Sequence, residues 1–134
     1  MLWQACRMSE PRASQRPAHL LAALLAGAGV LHFARPKPFD ALVPKELPGD
    51  RRTWTYASGA AELTVAAGIA LPRTRRLGGL AAALLFVGVF PGNVKMALDY
   101  QRRGRPARDR AVAWLRLPLQ WPLVSWALTV RDRA

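Results

Sequence analysis

Apolar residues are concentrated in four stretches, each close to the length of a bilayer span and each bordered by arginines. The stretches cover residues 17–34, 53–71, 76–98 and 111–130. About 20 mostly apolar residues in a helix cross the hydrocarbon core of a bilayer. Backbone amides find no water there, so a helix that satisfies them internally is the expected form. The pattern therefore predicts an all-α chain that forms an integral membrane four-helix bundle.

The polar segments around these stretches indicate a single domain. Residues 1–16 are polar and aperiodic, which predicts a flexible N-terminal tail, and residues 131–134 form a short basic tail. Residues 17–130 hold the four predicted helices. The proline-rich first connection, residues 35–52, excludes a regular helix or strand across it, and its apolar side chains would suit the membrane interface or a return onto the bundle. Asp50 has the side chain of an N-cap for the second helix.

The basic charge of the chain changes this picture little. A net charge of +12 and a pI near 11.6 raise the question of nucleic-acid binding. The arginines and lysines, however, lie between the apolar stretches, as in loops that face anionic lipid head groups. We therefore predict the lipid bilayer as a partner and no nucleic acid. A cleaved secretory signal over residues 20–31 is the alternative for the first stretch, but three further stretches favour a retained helix.

Among the polar side chains inside the predicted spans, which cost free energy unless they face other helices or water, five stand out. They are His32, Glu62, Asn93, Arg116 and Gln120. With a rise of about 1.5 Å per residue, Glu62 and Gln120 lie at a similar depth near the midplane, and His32, Asn93 and Arg116 lie towards the first and third connections. These residues are the candidates for ligand binding or proton coupling, in a polar half-cavity that ends at Glu62. The alternative is structural: Glu62 is protonated, or pairs with Arg116 or an amide of the fourth helix.

The sequence offers little catalytic chemistry. It contains no metal-ligand set, phosphate-binding glycine loop or nucleophile–base arrangement, and the single Cys6 cannot form an internal disulfide. We therefore predict no catalytic residue and no metal site, and enzymatic activity is the least favoured function.

Several short motifs follow one another in order along residues 20–130. They are His32-Phe33, Pro36, Pro38-Phe39-Asp40, Val43-Pro44 and Leu47-Pro48, then Gly59-Ala60-Ala61-Glu62-Leu63, Pro72-Arg73-Thr74-Arg75-Arg76, Phe90-Pro91-Gly92-Asn93-Val94-Lys95-Met96-Ala97 and Arg116-Leu117-Pro118-Leu119-Gln120. This order resembles that of the small DoxX-like bacterial membrane proteins. The resemblance implies a four-helix membrane bundle, mostly of unassigned function, with some relatives linked to quinone-associated sulfur oxidation or to thiol-stress complexes. The cysteine pairs of that redox-associated branch are missing here.

We therefore expect a DoxX-like membrane accessory or binding protein for an apolar ligand, such as a quinone or lipid, or for a membrane partner. A homo-oligomer is a further expectation, since Gly88 and Gly92 have the spacing of a helix-contact motif. The alternatives are a small proton-coupled transporter using Glu62 and a membrane oxidoreductase subunit. No cofactor motif is evident, and a quinone is the cofactor that the resemblance suggests. Abundant Ala, Arg, Gly and Pro are typical of a GC-rich bacterial gene, which predicts a multi-pass protein of the bacterial cytoplasmic membrane.

Overall fold

A computed structural model describes residues 14–43 and 45–134 of the chain. In these residues the structure has five α-helices and no strand, so the all-α prediction is confirmed. The helices are α1 Arg16–Ala34, α2 Lys37–Asp40, α3 Arg51–Ala70, α4 Arg75–Arg102 and α5 Ala107–Arg133. Most of the predicted N-terminal tail, and Cys6 with it, lies outside the described residues.

Local chemistry accounts for several helix starts. Pro17 lies in the first turn of α1, where its missing amide has no helical partner to lose. The carboxylate of Asp50 accepts the backbone N–H of Arg52 at 3.2 Å, so Asp50 is the N-cap of α3 as predicted. The helices α4 and α5 continue past Pro91 and Pro118 and extend beyond the apolar stretches at both ends. The added residues include the buried Arg75, whose Nε donates to the Ile69 carbonyl oxygen at 2.7 Å, and the arginines at the end of α4 and at both ends of α5.

The proline-rich connection contains the one-turn helix α2, so the prediction that it holds no regular helix is wrong at this turn. Pro36 is the N-cap of α2 and Pro38 lies in its first turn. Both positions tolerate proline because the first turn of a helix leaves its amides without carbonyl partners.

The four long helices pack side by side around one core. The most extensive helix pairs are α1 with α3 and α4 with α5, and α3 packs on α4. All four contribute buried apolar side chains, among them Leu21, Leu25, Ile69, Phe86 and Val130. This core lies towards the terminal end, the end of the bundle with the start of α1, the turn 71–74 and the end of α5. Trp126 Nε1 donates to the Pro17 carbonyl there at 2.8 Å, which ties α5 to α1.

The opposite end, which we call the loop end, is formed by residues 35–50 and the turn 103–106. A second, smaller cluster lies here, in which Leu42 of the first connection packs with Met96, Ala97 and Ala113. The first connection therefore folds back onto α4 and α5, which settles the choice that the sequence left open. A Cβ atom at Gly92 would lie 3.2 Å from the Leu42 carbonyl oxygen, whereas one at Gly88 would meet nothing within 4 Å. The two glycines of the predicted helix-contact motif thus have different surroundings.

Large apolar side chains point outward from α1, α4 and α5. Leu77 and Trp121 are 70% and 67% exposed, and Leu20, Leu84 and Leu119 are also exposed. By length and composition, α1 and α4 could each cross a membrane. The other two long helices carry more polar residues within the predicted spans.

Candidate functional site

A buried polar pair joins α1 to α3. His32 Nδ1 lies 3.3 Å from Glu62 Oε2, and both side chains are about nine-tenths buried, with exposed fractions of 9% and 12%. The same Nδ1 lies 2.7 Å from the carbonyl oxygen of Ala28, one turn earlier in α1. Because this nitrogen carries at most one proton, a bond to Ala28 leaves Glu62 Oε2 buried without a hydrogen bond. A buried oxygen without a hydrogen bond costs free energy of folding, so Glu62 is the more costly of the two side chains to bury.

Glycines explain why His32 and Glu62 meet. A Cβ atom at Gly59 would lie 2.7 Å from His32 Cβ, and one at Gly29 would lie 2.8 Å from Leu63 Cγ. Hydrogen atoms at these two positions let α1 and α3 approach closely, as small residues do in packed membrane helices. The close approach brings the histidine of one helix against the carboxylate of the other.

The helix α2 covers His32 from the loop end. The Phe39 ring stacks on the imidazole with ring centroids 3.8 Å apart and planes 19° apart. Asp40, next in α2, accepts hydrogen bonds from Thr55 Oγ1 at 2.6 Å and from Arg52 Nε at 3.0 Å. Partial burial acts to raise the pKa of Asp40, but these two bonds and the charge of Arg52 outweigh it, so the pKa lies below its ordinary value.

A second polar pair joins α4 to α5. Asn93 Nδ2 donates to Gln120 Oε1 at 3.0 Å, and Gln120 Nε2 donates to the Phe86 carbonyl oxygen at 2.5 Å. Gln120 is buried. The Gln120 amide thus bonds to α4 at Phe86, before Pro91, and at Asn93, after it. Between them the missing proline N–H interrupts the helical hydrogen bonds. The pair therefore supports a weakened part of α4.

The five candidate residues thus form two pairs and a separate arginine. Arg116 is exposed and its Nη1 lies 3.9 Å from Met96 Sδ. In the part of the chain that the structure describes, no hydrogen bond or ion pair joins Arg116 or Gln120 to Glu62. The half-cavity was predicted from the similar depths of these residues along the helix axes. Which of them make contact depends instead on the side of its helix from which each side chain projects. Glu62 faces α1, and Gln120 faces α4.

A cavity of about 720 Å³ lies at the loop end between α2, α4 and α5. Its apolar lining includes Phe39, Leu42, Met96 and Val112. Phe39 both lines this cavity and stacks on His32. The volume is within the usual range of small-molecule sites.

The lining of this cavity is strongly basic. Eight lysine and arginine side chains line it, against two aspartates. Lys37, Lys45 and Arg51 come from the first connection and the start of α3, whereas Arg103, Arg105 and Arg108 come from the turn 103–106 and the start of α5. Lys95 and Arg116 complete the set from the helix walls.

The loop-end cavity is the part of the site that sequence reasoning missed. The basic connections were interpreted as separate loops facing lipid, and no local pattern shows that they converge. One signal was present: the first connection alternates prolines with apolar residues such as Phe39 and Leu42, which is unusual for a loop that only faces water. Within residues 14–43 and 45–134, no group of three or more metal-binding side chains forms.

Comparison with known proteins gives a family but no function. The chain matches, over residues 21–131, the family described as "Domain of unknown function (DUF8561)". No curated protein and no solved structure matches it. The function has therefore to be inferred from the site itself.

Proposed function

We propose that the chain, which belongs to the DUF8561 family of unknown function, is a multi-pass membrane protein that binds an amphipathic, lipid-like ligand at its loop end. The observation that carries the proposal is the cavity of about 720 Å³, with an apolar lining that includes Phe39, Leu42 and Met96 and an opening at one end of the bundle. Apolar walls are the usual lining of a small-molecule site, and the eight basic side chains add polar contacts for one end of an amphipathic ligand.

The outward-facing side chains support a membrane location for all four long helices. Leu77, Leu84 and Trp121 expose apolar surface that would cost about 25 cal/mol per Å² in water and nothing in lipid. Two of the polar groups within these spans, Glu62 and Gln120, face neighbouring helices. Arg116 of α5 is exposed and lines the loop-end cavity. We therefore propose that α3 and α5 span the bilayer beside α1 and α4.

The resemblance to the DoxX-like proteins supports the same class of protein, an accessory or binding protein in the bacterial cytoplasmic membrane. It adds a quinone to the lipid as a candidate ligand. Both ligands have the apolar body that this cavity would accept.

A test of the proposal fills the cavity. Val112 lines it and Val87 lies on α4 outside it, and both valines are 53% exposed. Full-length protein, Val112→Trp and Val87→Trp would be purified in mild detergent, and co-purified lipids and quinones measured by mass spectrometry. We expect wild type and Val87→Trp to retain a ligand and Val112→Trp to lose most of it. Equal amounts in the two variants, or no ligand in any sample, would contradict the proposal.

The proton-coupled transporter predicted as an alternative is favoured by one observation, the buried Glu62 oxygen without a hydrogen bond. A buried carboxylate between two membrane helices is typical of proton relays. This alternative requires that Glu62→Gln abolish proton flux in proteoliposomes, whereas the binding proposal requires no flux from either form.

A further inference from the structure

We propose that the loop-end cavity recognises the head group of an anionic membrane lipid, whose phosphate carries a negative charge that no ammonium group neutralises. The inference rests on the proposed function, because it names the polar part of the ligand held in the same cavity. It also chooses between the two expected ligands, since a quinone carries no anionic group.

The first support is the charge that the fold gathers. Lys95 Nζ lies 2.6 Å from Asp99 Oδ2, and Arg108 Nε lies 4.0 Å from Asp109 Oδ1, so each aspartate of the lining is beside a cation. In the described residues no ion pair joins the remaining cations of the lining to an acidic side chain. They are Lys37, Lys45, Arg51, Arg103, Arg105 and Arg116.

Folding brings these like charges together from segments far apart in the sequence. Arg51 starts α3, whereas Arg103 follows the end of α4. Like charges in one concavity repel each other and raise the local electrostatic potential. An anion in the cavity would relieve that repulsion and would accept several charge-assisted hydrogen bonds.

The second support is the way the basic wall is held in place. Lys95 Nζ donates to the Ala41 carbonyl oxygen at 3.3 Å, which ties the first connection to α4. The Arg105 guanidinium lies 4.8 Å from the centre of the Tyr100 ring. Gly104 between the two turn arginines has a φ of +60°, a conformation that glycine adopts readily. This turn lets Arg103 and Arg105 both line the cavity.

Arginine suits phosphate in particular. Its planar guanidinium can donate two parallel N–H bonds to phosphate oxygens, and it stays charged at every physiological pH. Stacking on Tyr100 limits the freedom of the Arg105 side chain before any ligand binds, which lowers the entropy lost on binding.

The third support concerns the source of the phosphate. The cations adjoin the apolar lining of Phe39, Leu42 and Val112, so one ligand could contact both surfaces. The cavity also lies at the end of the proposed membrane spans, at the depth of lipid head groups. A free phosphate ion would use the cations alone and leave the apolar lining empty.

The experiment compares lipids that differ only in head group. Full-length protein in non-ionic detergent would be mixed with phosphatidylglycerol or phosphatidylcholine of identical acyl chains, and bound lipid counted by native mass spectrometry. We expect wild type to retain the anionic lipid about tenfold or more above the zwitterionic lipid, as two arginine contacts would give.

Matched double variants distinguish binding in the cavity from an effect of the net charge of the protein. Arg103→Gln with Arg105→Gln removes two charges from the cavity, and Arg73→Gln with Arg76→Gln removes two from exposed positions at the terminal end. We expect the first double variant to lose the preference and the second to keep it. Equal loss in both would overturn the inference, because it would reflect overall charge.

A third measurement tests whether the bound phosphate belongs to a lipid or is a free ion. Inorganic phosphate at the same concentration as the lipid should leave the bound lipid in place, and displacement would overturn the assignment to a lipid. If both lipids bind equally and Val112→Trp releases both, the ligand proposal stands and recognition of an anionic head group fails. If neither lipid binds, the proposed function itself fails.

Discussion

Gly59 is the residue on which the contact between α1 and α3 depends most directly. Its missing side chain leaves room for His32 and Phe33 of α1, and a Cβ atom there would lie 2.7 Å from His32 Cβ and 2.9 Å from Phe33 Cε2. The backbone carbonyl of Gly29 would be 3.2 Å away. Because these three atoms include a backbone oxygen, a side chain at this position could be accommodated only if the two helices moved apart.

We therefore expect Gly59→Ala to destabilise the protein by about 1–3 kcal/mol, the usual cost of overpacking a well-filled interior. Thermal unfolding of the purified protein in detergent would measure this. Gly27→Ala is the control, because a Cβ atom at Gly27 meets nothing within 4 Å. That change should stabilise α1 by up to about 1 kcal/mol, since alanine is the better helix former. Similar midpoints for the two variants would show that the close contact is absent.

The polar candidates show what residue-level reasoning can and cannot find. His32, Glu62, Asn93 and Gln120 were predicted because polar groups in apolar helices are costly, and all four side chains make polar contacts between helices. The expected partner of Glu62 was Arg116 or an amide of the fourth predicted helix, whereas the structure places His32 beside it. Depth along the axis follows from residue number, but the direction of a side chain around the axis depends on the packing.

At the scale of the elements, the one-turn helix α2 fixes the first connection to the bundle. It stacks Phe39 on His32 and presents Asp40 to Thr55 and Arg52 of α3. These contacts hold the first connection against the bundle, and the connection in turn forms one wall of the cavity.

This docking predicts a dependence on pH. Hydrogen bonds from Thr55 and Arg52 lower the pKa of Asp40, so the folded state binds its proton more weakly than the unfolded state. The stabilisation is present above the ordinary carboxylate pKa near 4 and is lost as the pH falls through the lowered value. We expect Asp40→Asn to cost about 1 kcal/mol or less at pH 7, because the pair is partly exposed.

The measurement is the thermal unfolding midpoint of wild type and Asp40→Asn between pH 7 and pH 2.5. The difference should shrink towards zero at the acid end. Glu46→Gln, a change at an exposed residue of the same connection, serves as the control and should shift the midpoint little. A difference for Asp40→Asn that stays constant over this range would contradict the ionic contribution.

At the scale of the whole molecule, the number of spans determines which segments share a side of the membrane. With four spans, residues 46 and 101 lie on one side and residue 73 on the other. If only α1 and α4 crossed, residues 46 and 73 would share a side and residue 101 would lie opposite. The two arrangements thus give different patterns of exposure.

Single cysteines can distinguish them. In a Cys6→Ser background, which removes the only native cysteine, the variants Glu46→Cys, Arg73→Cys and Gln101→Cys alter exposed residues. In intact vesicles we expect a membrane-impermeant maleimide to label positions 46 and 101 to the same extent. Position 73 should be labelled if those two are protected, and protected if those two are labelled. Equal labelling of 46 and 73, with 101 opposite, would reject the four-span bundle in favour of two spans.

The sequence by itself determined the helical class, the approximate helix limits and four polar residues that make contacts between helices, His32, Glu62, Asn93 and Gln120. These depend on local properties: runs of apolar residues, the Asp50 cap and the cost of a polar atom away from water. Only the tertiary structure decided the pairing of His32 with Glu62 and of Asn93 with Gln120, the return of the first connection and the basic cavity. Each of these joins segments whose relative rotation is set by close packing, as at Gly29 and Gly59, and such rotation has no local signature in the chain.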